Sequence, residues 1–138
     1  MALMNLKYWP NVFNILRLVD GLGFDYLYVV SKRLHGLKSK TARALTEGNL
    51  PWGRVKLEHP PTEGYNSVLF DIYEDAEDLE TFVWPDNPLL VLGAEDWGVP
   101  SGLSGRRVRI PMKGNFRCIN VACAAGIAMY DFVRKQAG

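Results

Sequence analysis

Apolar and polar positions along this chain repeat with two periods, that of a helix and that of a strand. From Asn11 onward, Val12, Ile15, Leu16, Val19 and Leu22 return at helical spacing, which predicts a helix with Asn11 as its N-cap and Gly21 and Gly23 as its stop. The residues before it read as a lead-in ending at Pro10. Residues 25–30, Asp-Tyr-Leu-Tyr-Val-Val, are rich in β-formers and predict a strand, as do Ser67–Ile72, Arg107–Ile110 and the alternating stretch Val55–His59. Pro60, Pro61 and Gly64 break the chain after that stretch. Pro88–Leu92 is continuously apolar, which predicts a strand buried on both faces. A short helix is expected around Lys40–Thr46. Another is expected over Glu74–Val83, with Ala76, Leu79, Phe82 and Val83 facing inward. The longest helix is predicted from Ile119 to about Gln136, and its small residues (Ala122, Ala124, Ala125, Gly126, Ala128) permit close approach of another backbone.

Helices alternating with apolar strands predict an α/β domain with a mostly parallel sheet. With 138 residues, 48% of them hydrophobic, the chain can bury a core but has little room for a second one. A single domain over residues 1–138, without a separate RNA-binding domain, is the expectation. The net charge of +1 argues against a strongly basic binder, yet the charge is unevenly placed. Lys32, Arg33, Lys38, Lys40 and Arg43 form a basic run, and Glu74, Asp75, Glu77, Asp78 and Glu80 an acidic one that reads as solvated surface. Two cysteines, Cys118 and Cys123, are too few for a disulfide framework and fit a reducing, cytoplasmic setting. Neither a signal peptide nor a membrane-spanning run is apparent, and His35 and His59 belong to no metal-type cluster.

Three segments join a regular element to a loop rich in glycine and polar residues, where α/β folds place ligands. In Asn11-Val-Phe-Asn-Ile-Leu-Arg17, Arg17 follows Asn11 by about 120° around the helix, so both can border a cleft; an N-cap plus a surface arginine is the plainer alternative. In Val91-Leu-Gly-Ala-Glu-Asp-Trp-Gly-Val-Pro100 a buried strand runs into Gly93, Glu95 and Gly98, where backbone could approach a flat ring closely, or simply turn. In Arg109-Ile-Pro-Met-Lys-Gly-Asn-Phe-Arg-Cys-Ile-Asn120 a strand ends at Pro111, the loop turns at Gly114, and Asn120 stands at a helix start as a ligand group or an N-cap. No G-x-G-x-x-G, Walker loop, G-x-S-x-G elbow or H-E-x-x-H is present. Cys118 is read as a small buried thiol rather than a nucleophile.

Together these segments resemble, in order and spacing, the three motifs of the SpoU/TrmH-type SPOUT methyltransferases. The resemblance rests on Leu92-Gly-Ala-Glu-Asp-Trp-Gly98, then Ile110-Pro-Met-Lys-Gly114, then Cys-Ile-Asn120 and an Ala-rich helix, with Asn-x-x-x-x-x-Arg near the N-terminus. It implies an α/β fold whose C-terminal stretch threads a loop in a deep trefoil knot. It also implies S-adenosylmethionine as cofactor (S-adenosylhomocysteine as product), bound by Leu92, Gly93, Ala94, Gly98, Ile110, Met112, Gly114, Cys118, Ile119 and Asn120. The implied activity is transfer of a methyl group to a ribose 2′-hydroxyl of RNA, tRNA first and rRNA second, with Asn11, Arg17, Glu95 and Asn120 as catalytic residues. Because arginine is a poor base, Arg17 is assigned orientation and charge stabilisation. The basic run Lys32, Arg33, Lys38, Lys40 and Arg43, with Lys113 and Arg117, is the candidate phosphate-contacting surface. No metal is called for. The resemblance further implies a homodimer built on the first and last helices, with Ala125, Gly126 and Met129 at or near the contact.

Three positions depart from the family pattern. Phe13 stands for glycine and is expected to narrow the substrate cleft. Cys118 and Ala122 stand for serines. Phe13 and Cys118 motivate an alternative, a catalytically degenerate domain acting as an RNA- or partner-binding module. An unrelated small nucleotide-binding α/β protein is the remaining reading.

Overall fold

The computed structural model describes residues 1–35, 51–94 and 96–137. Seven strands form one sheet: β1 (Ala2–Met4), β2 (Leu27–Val30), β3 (Val55–Lys56), β4 (Asn66–Phe70), β5 (Glu77–Asp78), β6 (Pro88–Gly93) and β7 (Arg106–Arg109). Their order is β3-β2-β1-β6-β4-β7-β5, and every neighbouring pair is parallel. The described helices are α1 (Trp9–Gly21) and α2 (Val121–Ala137), and Trp52–Arg54 and Leu79–Thr81 are short 3₁₀ turns. No described helix is long and apolar enough to cross a membrane. The expected helix around Lys40–Thr46 lies outside the described residues.

Side chains alternate across the sheet with the period of a strand. Leu3, Leu27, Val29, Val68, Phe70, Leu90, Leu92 and Val108 enter the larger core, which α1 and α2 cover. Ala2, Met4, Leu69, Leu89 and Val91 point the other way, into a smaller cluster closed by Val99. Helix α1 contributes Val12, Phe13, Ile15, Leu16 and Val19 to the larger core.

The structure corrects several expectations. The lead-in contains a central strand: Ala2 and Leu3 are fully buried between β2 and β6. Three residues are too few to show a period. Helix α1 begins at Trp9, with Tyr8 as N-cap and Pro10 in its first turn, where a missing N–H costs nothing. Asn11 is therefore inside the helix. Residues 74–83 form no α-helix. Asp75, Glu77 and Asp78 instead pair with Arg107, Arg106 and Arg109 of β7 at 3.4, 2.7 and 2.7 Å. Lys135 of α2 takes the Leu79 and Phe82 carbonyls at 2.7 and 3.0 Å. Tertiary partners thus outweigh helix propensity here. Leu79 and Phe82 are buried as expected, whereas Val83 is exposed.

Ala125 and Met129 are fully buried within the single chain, and a Cβ on Gly126 would touch Leu18 of α1. Ala125, Gly126 and Met129 thus lie on the side of α2 that packs on α1 and the core of the same chain. Phe13 packs between Trp9 and Trp52, with ring centroids 5.7 and 5.2 Å away, and does not enter a cleft. Cys118 is exposed in the loop before α2, not buried, and Cys123 is exposed on α2.

Candidate functional site: a cleft at the C-terminal edge of the sheet

Strands β6, β4 and β7 lie side by side, and their registers bring Gly93, Asp71 and Ile110 to one edge of the sheet. The loops leaving these strands enclose a cleft of about 320 Å³, within the range of small-ligand pockets. Leu92, Gly93, Ala94, Gly98, Ile110, Met112, Cys118 and Ile119, all expected at a cofactor, line it. Gly114 and Asn120 do not belong to that lining.

The loop after β6 is a tight turn whose two glycines are sterically required. Ala94 pairs with Gly98, whose N–H donates to the Ala94 carbonyl at 2.7 Å. A Cβ on Gly93 would fall on the backbone of Gly98 and Val99. Gly98 has φ +68°, and a Cβ there would strike the Asp71 carboxylate. Asp71 fixes the same turn: its Oδ2 accepts from the Val99 N–H at 2.8 Å, and its Oδ1 from the Ile72 N–H at 2.8 Å. Asp71 was missed because the apolar run Ser67–Ile72 reads as unbroken strand, although the strand ends at Phe70. An acid set against an apolar strand end was the available signal.

Asp96 and Trp97 also line the cleft and were not foreseen. Arg33 grips both Asp96 oxygens at 2.6 and 3.0 Å, donates from Nε to the Asn5 carbonyl at 2.8 Å, and stacks 3.5 Å over the Trp97 ring. Lys7 reaches Asp96 at 3.0 Å. The hydrogen bonds from Arg33 and then Lys7 hold the Asp96 carboxyl well below the usual carboxylate range. Arg33 is thus engaged with groups of its own chain. Of the other expected phosphate contacts, Lys32 is exposed, Lys113 is exposed on the loop after β7, and Arg117 lines the cleft. Lys38, Lys40, Arg43 and Glu95 lie outside the described residues.

Asn120 caps α2: its Oδ1 accepts from the N–H of Ala122 at 2.8 Å and of Cys123 at 3.4 Å. Its Nδ2 donates to Asn11 Oδ1 at 3.2 Å, so the two expected asparagines meet across the starts of α1 and α2. Arg17 is exposed on α1, forms no ion pair with a described residue, and does not line the cleft of its own chain.

The chain is similar in sequence to proteins of known name and in fold to solved structures. A tRNA (guanosine(18)-2′-O)-methyltransferase of Aquifex aeolicus is 26% identical over 96% of this chain and 67% of its own length. A 23S rRNA (guanosine-2′-O-)-methyltransferase of Acinetobacter baylyi is 35% identical over 47% of this chain. The chain therefore spans between about a quarter and two thirds of the length of these relatives. A solved structure concerned with 2-OH methylation of C/U34 on tRNA superposes with a TM-score of 0.80 at 22% identity, covering 99% of this chain and 95% of that one. The SpoU methyltransferase AviRb from Streptomyces viridochromogenes, solved with AdoMet, gives 0.77 at 22% identity over all of this chain and 58% of its own. The profile of the SpoU rRNA Methylase family matches residues 1–130, and the chain belongs to that family.

Proposed function

We propose that this chain transfers a methyl group from S-adenosylmethionine to a ribose 2′-hydroxyl of RNA, of tRNA before rRNA, as a homodimer. The observation that carries the reading is the cleft itself. Its walls combine apolar side chains (Leu92, Ile110, Met112, Ile119, Val121) with a turn of exposed backbone between Gly93 and Gly98, suited to a flat ring. The Asp71 carboxylate brings negative charge to a ligand that carries cationic centres. When bound, the cofactor supplies an electrophilic methyl on a positively charged sulfur.

The protein's part is orientation, exclusion of water and charge stabilisation. The Asp71-braced turn keeps the cleft wall in one shape. The Asn11–Asn120 bridge ties the start of α1 to the loop bordering the cleft. Arg17 stabilises charge on the attacking oxygen, and since it stands off its own chain's cleft, a second copy is the natural recipient. Ile127 and Tyr130, 45% and 60% exposed on α2, supply apolar surface for such a pair. Lys113, Arg117 and the 84% exposed Phe116 offer the cleft rim two phosphate ligands and an aromatic face for a nucleobase. Threading of the loop before α2 past the Gly93–Gly98 turn, the trefoil knot, belongs to the same reading.

The reading as a silent binding module loses one of its two motives, because Phe13 sits in the core and leaves the cleft open. Mass spectrometry of nucleosides from tRNA and rRNA, with and without the gene, tests the proposal. A 2′-O-methyl nucleoside that disappears with the gene supports it, and unchanged nucleosides in both RNAs refute it.

A further inference from the structure

A second cavity, about 150 Å³, adjoins the cofactor cleft and shares Ala94, Asp96 and Val121 with it as a common wall. Its other lining is Leu6, Lys7, Tyr8 and Asn11. The volume is too small for a whole nucleotide and suits a sugar or phosphate group.

Among the described residues, the charges around it do not cancel. Asp96 is one carboxylate facing two cations, Arg33 and Lys7. Arg33 is committed: both terminal nitrogens hold Asp96, Nε holds the Asn5 carbonyl, and the guanidinium face lies on Trp97. Lys7 spends one of its three N–H directions on Asp96 and is 39% exposed along its side chain. Its backbone is pinned, since its carbonyl accepts the His35 N–H at 2.8 Å. Among the described residues the cluster Arg33, Lys7 and Asp96 carries one net positive charge, and Lys7 is the member able to share it. Asn11 presents its amide to the same cavity, its Oδ1 already taken by Asn120.

Building on the methyltransferase reading, we propose that this cavity seats the sugar–phosphate of the acceptor nucleotide, with Lys7 as its phosphate ligand and Asn11 as its polar partner. The acceptor then lies across the Ala94–Asp96 wall from the methyl donor. Lys7 belongs to no basic run, so neither composition nor charge patterning marks it.

The test uses the full chain and total tRNA from cells lacking the gene. RNA affinity is followed across salt concentration, and S-adenosylhomocysteine affinity is measured by calorimetry. Lys7→Met is expected to weaken RNA binding about fivefold to tenfold at 0.1 M salt. It should flatten the log–log salt dependence by about one phosphate, a slope change of roughly 0.7 to 0.9, and leave the homocysteine affinity within twofold. Lys7→Arg is expected to keep the parent slope. Arg33→Gln is the contrast: it should weaken the homocysteine ligand several-fold by loosening Asp96 and Trp97, with the parent salt slope retained. A parent-like slope in Lys7→Met overturns the assignment, as does a slope change appearing in Arg33→Gln alone. Loss of RNA binding by Lys7→Met together with a changed molecular mass also overturns it, in favour of a contact between copies. If the methyltransferase reading itself is at fault, the parent chain neither binds S-adenosylhomocysteine nor methylates the tRNA. An active parent with an unaltered Lys7→Met slope counts against Lys7 alone.

Discussion

Replacing Gly93 by alanine is the most direct trial of the cleft's construction. The added methyl falls on the main chain of Gly98 and Val99, where no side-chain rotation can relieve it. The turn must open, which breaks the Gly98 N–H to Ala94 bond at 2.7 Å and the Val99 N–H to Asp71 bond at 2.8 Å. A neutral hydrogen bond contributes ~1 kcal/mol net and one to a carboxylate ~2 kcal/mol, so the loss is about 3 kcal/mol. For a domain of this size that corresponds to a fall in Tm on the order of 10 °C. The same energy charged to re-forming the turn around a ligand raises the Kd for S-adenosylhomocysteine roughly 100-fold. Gly114→Ala is the internal control, because nothing lies within 4 Å of its added methyl and its φ is not in the left-handed region. That variant should stay within ~0.5 kcal/mol of the parent. Differential scanning calorimetry and ligand titration of both proteins decide the matter. A Gly93→Ala protein with parent Tm and parent affinity would show that the turn is not packed as described.

Asp71→Ala removes the carboxylate that fixes the turn without adding bulk, so it should weaken S-adenosylhomocysteine tenfold or more in calorimetry while the protein remains folded by circular dichroism. Arg17→Ala is expected to abolish methyl transfer to tRNA in a radiolabel assay and leave cofactor affinity unchanged; equal loss of both would remove Arg17 from the reacting centre. Asp131→Ala strips the buried Trp84 indole N–H of its 2.9 Å acceptor and Lys135 of its 2.8 Å partner, which should cost about 3 kcal/mol in urea denaturation at pH 7. Burial works to raise the Asp131 pKa, but hydrogen bonds from Lys135, Trp84 and Arg134 together outweigh it and leave the pKa lowered. A lowered folded-state pKa means that this contribution is present above the unfolded carboxylate range and is lost as pH falls below ~4, so parent and Asp131→Asn stabilities should converge in acid.

The long regular elements were legible because each carries enough residues to express a period: α1, α2, β4 and β6 lie within a few residues of where the pattern puts them. The motif glycines were legible as places where backbone comes close, and the structure supplies the reason for Gly93 and Gly98 but none for Gly114. Short elements were not legible. Strand β1 owes its existence to the two strands beside it, and the acidic run became a strand and a turn because three arginines of β7 face it. The same limit hid Asp71, Asp96 and Lys7, whose roles arise from segments 28 and more residues distant. Sequence grouped Arg33 with its basic neighbours along the chain and gave no sign of its partners in space, a carboxylate and an indole.

The central place of β1 bears on how the molecule is made. Ala2 pairs with Tyr28 on one side and with Val91 on the other. During synthesis the unit β1–α1–β2 can close early, but the second edge of β1 stays open until β6 has been translated, about 90 residues later. At ~5–20 residues per second that is a wait of roughly 5–20 s, during which a row of unpaired backbone groups and a bare apolar face are exposed. Parallel pairings this distant are slow to form. The nascent chain should therefore depend on chaperone shelter until β6 arrives, and the cleft can take shape only after the last helix has left the ribosome.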